Sequence, residues 1–416
     1  MSKALAFILT PYNKNSIASL TGALETDPRT ETLPLHFVRA RGDWVHCVAR
    51  LARNHERLVV ALSFATPNAP TVAHDLTRLR ALDLPGVIVI AGGPHPSGDP
   101  QDTLDMGVAA LVVGEGENTL PALVERLLIE ESVAGVPGVV TRDAGGQIVH
   151  GPRPPRVHLD EYPPCGLRHR RFGPIEISRG CPWACGFCQT PFLFGGRMRH
   201  RSVEAIAAWL DLACAAGYRY ARFVTPDAFA YGSEDGKTPN LEAIERLLWE
   251  AGRRVGRDQV YFASFPSEVR PENVTPETVA LVTKYAANDN LVFGAQTGSP
   301  RLLRSLRRGH TVEDVRRATE VTVQAGLTPY VDFIFGLPGE TAEDRELTLH
   351  MIADLTAMGG VIHSHTFMPL PGTPLSHAQP GRVDPQWHAL LDRLASQGQH
   401  IGQWRKQERL ATLAST

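Results

Sequence analysis

SRGCPWACGFCQTP, residues 178–191, is the most informative stretch for the fold, because it gathers Cys181, Cys185 and Cys188 on one short segment. Thiolates are the natural ligands of iron–sulfur clusters. Three of them can hold three irons of a four-iron cluster, and the fourth iron then stays open for a substrate. The spacing Cys-x3-Cys-x2-Cys therefore predicts a [4Fe–4S] cluster with one open iron.

A zinc site is the alternative for these cysteines. Structural zinc takes four ligands, commonly in two pairs, and the sequence has no second cysteine pair. His200 is the nearest candidate for a fourth ligand, so zinc stays open as the minor alternative. A disulfide framework is disfavoured because the chain has six cysteines in 416 residues.

Alternating strand-like and helix-like segments continue after the cysteines. Short apolar runs predict strands at 174–179, 221–227, 260–266, 291–298, 329–336 and 361–369, and amphipathic segments between them predict helices. This repeat predicts a partial (β/α)6 barrel over residues 173–380, with its active site at the carboxyl ends of the strands. The tail, 381–416, is expected to be helical.

The first 130 residues form a second alternating series. Apolar runs at 5–10, 33–38, 57–64, 86–93 and 109–117 predict strands buried on both faces. The α/β fold class therefore begins with a doubly wound, Rossmann-like parallel sheet over residues 1–130. Residues 131–172 are rich in Pro and Gly and are expected to form a linker with a small hairpin.

The charge and the apolar runs of the chain argue against nucleic-acid-binding and membrane-spanning functions. Lys and Arg number 42 and Asp and Glu 44, so the net charge of -2 leaves no broad basic surface for nucleic acid. The chain has no apolar run of the length that spans a membrane, and its short N-terminal apolar run reads as a buried strand. We expect a cytoplasmic protein with no nucleic-acid or membrane partner.

The cysteine motif resembles that of the radical S-adenosylmethionine (SAM) enzymes, including an aromatic residue, Phe187, before the last cysteine. GAQTGSP (294–300) and DFIFGLPGET (332–341) resemble later segments of the same family, although Asp332 stands where the pattern usually has Gly. The resemblance implies that the open iron chelates SAM. The expected SAM contacts are Asp227, Ser264, Glu268, Arg270, Gln296, Thr297, Ile334 and Gly336.

Several of these roles have a structural alternative. Asp227 either accepts a hydrogen bond from SAM or caps a helix. Arg270 either pairs with the methionine carboxylate, or it pairs with Glu268 or is solvated. His365 either faces the substrate cavity or is a buried structural residue. A basic group soon after the cysteines either binds an acidic group or belongs to a solvated basic face: Arg197, Arg199 and His200.

The first domain resembles the cobalamin-binding domain that precedes many radical SAM barrels. AGGPHPSGDP (91–100) and GVAALVVGEGENTLPALVE (107–125) carry the likeness. Many such domains have a cobalt-ligating His after the first strand, but TPYNKNSIASL (10–20) has none. A domain that has lost cobalamin is the alternative. The residues expected at cobalamin are Tyr12, Asn13, Ser63, Gly92, Gly93, His95, Gly114, Glu115 and Gly116.

These resemblances imply a cobalamin-dependent radical methyltransferase. One SAM would methylate the cobalamin, and a second would yield a 5′-deoxyadenosyl radical that activates an unactivated carbon. A radical cyclisation, rearrangement or oxidation without methyl transfer is the second enzyme class, and a cobalamin or redox sensor is the non-enzymatic alternative. The expected partners are a small-molecule or peptide substrate and an electron donor such as flavodoxin or ferredoxin.

Overall fold

The chain folds as two compact units that divide between Gly173 and Pro174 in a computed structural model, which describes residues 2–413. None of the helices in this range is both long and apolar enough to cross a membrane. The sequence placed a linker at 131–172, but the structure includes that segment in the first compact unit. The reason is that its hairpin extends the first sheet.

A seven-stranded sheet with the order β2-β1-β3-β4-β5-β6-β7 forms the centre of the first unit. The first five strands are parallel, which confirms the predicted doubly wound sheet, and the last two are antiparallel. The strands are β1 Ser2–Leu9, β2 Leu35–Arg39, β3 His55–Ser63, β4 Val87–Gly92, β5 Ala110–Val112, β6 Val139–Arg142 and β7 Ile148–His150. The helices are α1 Lys14–Thr26, α2 Trp44–Ala52, α3 Ala69–Arg80, α4 Pro94–Gly98, α5 Pro100–Asp105 and α6 Thr119–Leu128.

Both faces of this sheet are covered. Phe7 of β1 packs with Ile17 of α1 and Leu123 of α6 on one face. The next residue, Ile8, packs on the other face with Trp44 of α2. Successive side chains of a strand point to opposite faces, so a strand covered by helices on both sides must be apolar at every position. This requirement explains the uninterrupted apolar runs of the sequence.

The second unit contains a curved series of parallel strands. The strands are β8 Ile175–Glu176, β9 Ser178–Arg179, β10 Arg199–His200, β11 Ala221–Val224, β12 Val260–Tyr261, β13 Asn290–Gln296, β14 Thr328–Phe335, β15 Val361–Thr366 and β16 His400–Gly402. The helices are α7 Thr190–Phe194, α8 Val203–Ala215, α9 Leu241–Val255, α10 Pro276–Tyr285, α11 Pro300–Ser305, α12 Val312–Gln324, α13 Ala342–Ala357, α14 Pro385–Ser396 and α15 Trp404–Leu413.

Two parallel sheets make up the predicted partial barrel, in the orders β12-β11-β8 and β13-β14-β15-β16. They meet where the amide of Val292 donates to the carbonyl of Ala263 at 3.1 Å and where Val269 and Phe293 form a parallel bridge. Strands and helices therefore alternate as the sequence predicted. A short antiparallel pair, β9 and β10, flanks the segment that carries the cysteines.

The tail differs from the purely helical prediction. His400–Gly402 adds a parallel strand, β16, to the edge of β15, with Ile362 opposite His400. Three residues are too few to show strand periodicity, so this strand could not be predicted from the sequence. The hydroxyl of Thr366, at the end of β15, also donates to the carbonyl of Trp404 at 3.0 Å, which anchors α15 to the same edge.

Candidate functional site

The cysteine loop lies between β9 and α7. Its backbone is fixed from outside, since the amide of Cys181 donates to Gly195 at 3.1 Å and that of Gly186 donates to Leu306 at 3.0 Å. Ala184 lies at a φ of 49°, a left-handed conformation that non-glycine residues rarely adopt. The loop therefore reverses direction between Cys181 and Cys185. All three thiols are free.

The three thiols lie close enough to affect one another's charge. Burial, together with smaller contributions from the charges of Cys185 and Cys188, raises the pKa of Cys181 to about 11. Burial likewise raises the pKa of Cys188. Thiols in such surroundings become thiolates when a bound metal supplies the compensating positive charge. The environment therefore suits ligands of a metal centre.

The spacing of these thiols favours a cluster over zinc. Among the described residues, the group of three metal ligands whose atoms all lie within 4.8 Å of one another is Asp332, His363 and His365. The three cysteines do not form such a group, as they would around one zinc ion. Separate irons of a cluster allow wider spacing. His200, the candidate fourth zinc ligand, instead lies with Nδ1 2.8 Å from Ser178 Oγ and Nε2 3.0 Å from the carbonyl of Ser233.

Two arginines flank the cysteine loop. Arg308, a buried residue, points Nη1 at Sγ of Cys185 at 3.5 Å and donates through Nη2 to the carbonyl of Gly294 at 3.0 Å. The guanidinium of Arg270 lies 3.7 Å from the centre of the Trp183 ring. Hydrogen bonds and charge near the sulfurs tune a cluster's reduction potential. Arg308 thus lies where it would influence a bound cluster, and the sequence did not reveal it, because it lies more than 100 positions from Cys185.

Arg270 has a partner that the sequence did not predict. Its Nε donates to Glu272 Oε1 at 2.5 Å, and its Nη2 donates to the carbonyl of Arg308. The expected alternative, a pair with Glu268, is wrong, because Glu268 lies elsewhere beside Asp332. Arg270 therefore supports the cysteine loop from below Trp183. The predicted contact with the SAM carboxylate stays a prediction.

Asp227 is a fully buried carboxyl at the end of the second barrel strand. It accepts hydrogen bonds from the amide of Phe229 at 3.2 Å and from Nδ2 of Asn273 at 3.0 Å. Burial raises its pKa to about 6. These bonds hold the loop that follows β11, but the next helix begins only at Leu241, so Asp227 does not cap a helix. Its contact with SAM stays a prediction. Ser264 is buried near the next strand end.

The end of β13 has an unusual backbone. Gln296 lies at a φ of 70°, and the pairing of β13 with β14 shifts between Gly294 and Gln296. A Cβ at Gly294 would lie 2.0 Å from Nε2 of Gln296, so only glycine lets this side chain fold back over the strand. Backbone strain of this kind concentrates at functional sites, which supports Gln296 as a ligand contact.

Thr297 is buried at the strand end, and its hydroxyl has two partners. It lies 3.1 Å from the hydroxyl of Thr348 on α13 and accepts from the amide of Ser299 at 3.2 Å. The residue is 1% exposed. These contacts fix α13 against the strand end, and the predicted contact of Thr297 with SAM stays a prediction.

The segment 332–341 forms the end of β14 and the loop that follows it. Ile334 packs with Phe187 of the cysteine loop in one apolar cluster. Gly336 hydrogen-bonds through its backbone to the carboxyl of Glu340, whose pKa burial raises to about 7. The segment therefore approaches the cysteine loop, and the contacts of Ile334 and Gly336 with SAM stay predictions.

A cluster of acid–base groups that the sequence did not predict lies on β14 and β15. Asp332 pairs in register with His363, and Ile334 with His365. Nδ1 of His363 lies 2.7 Å from Oδ1 of Asp332, and Nε2 of His365 lies 3.9 Å from the same oxygen. Burial and the charge of Asp332 raise the pKa of Glu268 to about 8. Two features of the sequence could have predicted this cluster: Asp332 in place of the usual Gly, and the alternation of His363 and His365.

In the first unit, the residues expected at cobalamin lie at the strand ends, but several of their side chains hydrogen-bond to neighbouring residues of the protein. Asn13 donates through Nδ2 to the carbonyls of Ile8 at 2.9 Å and Ser63 at 3.0 Å, and its Oδ1 accepts from Thr10 at 2.8 Å. The side chain of Asn13 thus ties β1 to β3 and is not available to cobalt. Tyr12, by contrast, is 65% exposed.

His95 and Glu115 also have structural partners. Nδ1 of His95 lies 3.2 Å from Oγ1 of Thr66, and Nε2 lies 2.8 Å from Asp102. Glu115 is buried and accepts from the amide of Val157 at 2.8 Å. Both side chains therefore hold loops in place, and their predicted contacts with cobalamin stay predictions.

The glycine backbone at these strand ends has no side chains that would keep a ligand at a distance. Gly93 lies at a φ of 100°, and a Cβ there would lie 3.0 Å from the carbonyl oxygen of Phe64. No other residue fits this position without strain. The remaining predicted residues lie at the ends of β3, β4 and β5 or just beyond them: Ser63, Gly92, Gly114 and Gly116.

Comparison with known proteins matches both units. A family model of the radical SAM superfamily matches residues 175–352, and a model of the B12 binding domain matches residues 11–124. An uncharacterised protein of Methanopyrus kandleri is 28% identical in an alignment of 339 positions that covers 70% of this chain and 62% of that protein. An uncharacterised methyltransferase of Pyrococcus horikoshii is 27% identical, covering 73% of this chain and 65% of that protein. The chain thus spans just under two thirds of the length of these relatives.

Solved structures share the fold. The radical SAM methyltransferase TsrM of Kitasatospora setae, solved with cobalamin and a [4Fe–4S] cluster, has a TM-score of 0.69 at 19% identity, covering 92% of this chain and 80% of that one. The cobalamin-dependent radical SAM enzyme OxsB, solved with aqua-cobalamin, has a TM-score of 0.67 at 18% identity, covering 84% and 52%. The two matched domains imply a [4Fe–4S] cluster, SAM and cobalamin as cofactors. Residues 11–124 and 175–352 thus match a B12 binding domain and the radical SAM superfamily, so the chain carries both domains, with the B12-binding domain ahead of the radical SAM domain.

Proposed function

We propose that the chain is a cobalamin-dependent radical SAM methyltransferase that methylates an unactivated carbon. The observation that carries the proposal is one chain with both a loop of three free cysteines in a parallel barrel and a glycine-lined sheet edge in a B12-binding domain. When bound, the cluster supplies an electron that cleaves SAM, and cobalamin serves as the methyl carrier. The methyltransferase name of a relative supports the same reaction class.

The residues of the chain position and isolate this chemistry. Cys181, Cys185 and Cys188 hold the cluster, and Arg308 donates toward one of its sulfurs. The strained Gln296 lies at the end of β13, where it orients SAM. Three liganding cysteines leave one iron without a protein ligand, and SAM takes that position.

The dyad of Asp332 and His363 handles protons. Asp332 accepts the Nδ1 proton of His363 at 2.7 Å, which leaves Nε2 as the free lone pair when the ring is neutral. Such a carboxylate–imidazole pair acts as a general base. His363 therefore accepts a proton from a polar group of the substrate within the barrel.

The test is an anaerobic incubation of the reconstituted protein with cobalamin, a reductant and methyl-labelled SAM. Label in the protein-bound cobalamin together with free 5′-deoxyadenosine supports the proposal, and a labelled small molecule from an added cell extract would identify the substrate. Deoxyadenosine without labelled cobalamin would sink methyl transfer in favour of a rearrangement, cyclisation or oxidation. The absence of both labelled cobalamin and deoxyadenosine would indicate a sensor.

A further inference from the structure

A basic cavity of about 420 Å³ opens in the first unit beside the ends of β1 and β2. Five cations line it: Lys14, Arg39, Arg41, Arg170 and Arg171. The rest of its wall is largely apolar and includes Leu9, Ile17, Ala18 and Phe172. We call this cavity the basic pocket.

The cations of the basic pocket have no compensating carboxylates. Within residues 2–413, none of the five forms an ion pair. Burial and the charge of Arg39 lower the pKa of Arg171, so these two arginines repel each other. Nε of Arg171 is buried without a hydrogen-bond partner in the described chain. Unpaired buried donors and like charges cost folding free energy, and a bound anion would remove both costs.

The start of α1 adds to the positive potential. The helix begins at Lys14, and in the described structure its first turn has no acidic residue and no side-chain cap. Asn13, which stands at the capping position, uses its amide on Ile8, Ser63 and Thr10 instead. The first amides of a helix favour an anion, so this end of α1 and the five side chains attract the same kind of ligand.

We propose that the basic pocket binds a phosphorylated small molecule with an apolar portion. The planar fork of a guanidinium matches phosphate in a bidentate way, and four of the five cations are arginines. The volume falls in the usual range for small-molecule sites and exceeds what a phosphate group alone would fill. Leu9 and Ile17 would contact the apolar portion.

Two other anions fit the basic pocket less well. Cobalamin is expected at the ends of β1, β3, β4 and β5, and the basic pocket shares with that site only the end of β1, where Leu9, Thr10 and Pro11 line it. Four of the five cations instead come from the end of β2 and from residues 170–171. Cobalamin also carries a single phosphodiester charge against five cations. Nucleic acid favours an extended basic surface, whereas this site is a concavity with an apolar floor in a chain of net charge -2.

The experiment is a calorimetric titration of the full-length, cobalamin-loaded protein with phenyl phosphate, inorganic phosphate and a short RNA oligonucleotide. We expect phenyl phosphate to bind at least tenfold more tightly than inorganic phosphate. R39Q and R171Q should each weaken that binding at least tenfold. R53Q, which removes an exposed arginine at the end of α2, is the matched control and should leave it unchanged.

Thermal melting distinguishes lost binding from lost folding. Because R39Q removes a like-charge repulsion, its melting temperature without ligand should equal or exceed that of the parent protein. No phenyl phosphate binding, equal binding of both phosphates, or an unchanged affinity in R39Q and R171Q would each overturn the proposal. So would displacement of phenyl phosphate by cobalamin in the unloaded protein, or tighter competitive binding of the RNA.

Discussion

Asp332 and His363 face each other across two neighbouring parallel strands, with Nδ1 of the imidazole 2.7 Å from Oδ1 of the carboxylate. The contact raises the pKa of His363 against the opposing effect of burial, and it lowers the pKa of Asp332. Glu268, His365 and His400 lie close enough to influence the pair. The relationship therefore ties the stability of the barrel to pH.

The first prediction concerns H363Q. The raised pKa of His363 stabilises the fold below the unfolded value of about 6.5, and this benefit is lost as pH rises through the folded pKa. The lowered pKa of Asp332 stabilises the fold above about 3.9, and that benefit is lost as pH falls. We therefore expect H363Q to lower the melting temperature by about 4 °C more at pH 5.5 than at pH 8.5, since a charged hydrogen bond contributes about 1.5–3 kcal/mol.

D332N is the companion variant for this pair. It should lose the same pH-dependent part, and the double variant should add little to either single change because the two residues act as one pair. Equal destabilisation by H363Q at both pH values would contradict a charged pair.

The second prediction concerns the cluster. C181A, C185A and C188A should each reduce the iron content well below about four per chain, abolish the visible charge-transfer absorbance and stop deoxyadenosine formation. C214A is the control, because Cys214 is a half-buried free cysteine on α8. Iron analysis after anaerobic reconstitution checks this. Full cluster loading in any of the three variants would exclude that residue as a ligand.

The third prediction concerns Arg308. R308M removes a cation and a donor 3.5 Å from Sγ of Cys185, so the reduced cluster loses stabilisation and its reduction potential should fall. The expected fall is tens of millivolts, because a one-electron couple changes by about 59 mV per tenfold change in relative stability. An EPR-monitored redox titration measures it. R304Q, at an exposed position of α11, should leave the potential unchanged, and an unchanged potential in R308M would rule out the tuning role.

The fourth prediction concerns cobalt. The loop after β1 has no histidine, and both ring nitrogens of His95 are engaged by Thr66 and Asp102. The EPR spectrum of bound Co(II)-cobalamin should therefore show no splitting from a protein nitrogen. H95Q should leave this spectrum unchanged while lowering the melting temperature. A nitrogen splitting that disappears in H95Q would show that His95 ligates cobalt.

The fifth prediction concerns Gly294. A Cβ there collides with Nε2 of Gln296, so G294A should displace that side chain and weaken SAM binding about tenfold, the effect of losing about one hydrogen bond. G252A is the control, because its Cβ would meet no atom closer than 3.9 Å. Calorimetry with SAM measures both. Unchanged affinity in G294A would remove Gln296 from the SAM site.

The sequence predicted the two folds well because their elements are long and repeated. The apolar run of β3 and the amphipathic α9 have clear periodicity, and the cysteine loop is a local motif. The missed features depend on tertiary contacts. Arg308 reaches Cys185 from a distant segment, and Thr297 is occupied by Thr348 of α13. The identity of a residue alone could not distinguish a side chain that binds a ligand from one that holds the fold together. The hydrogen-bond partners in the structure provide that distinction.

Because β16 joins the second sheet, the second unit extends beyond the point where its match to the radical SAM family ends. The radical SAM match ends at residue 352, yet β15, β16 and α15 follow it, and Gln407 contacts the ring of His365 at 3.2 Å. A chimera cut at 352 would strip a parallel edge of its neighbour and expose it to intermolecular pairing. Recombination between relatives should therefore exchange the whole segment from Pro174 through α15.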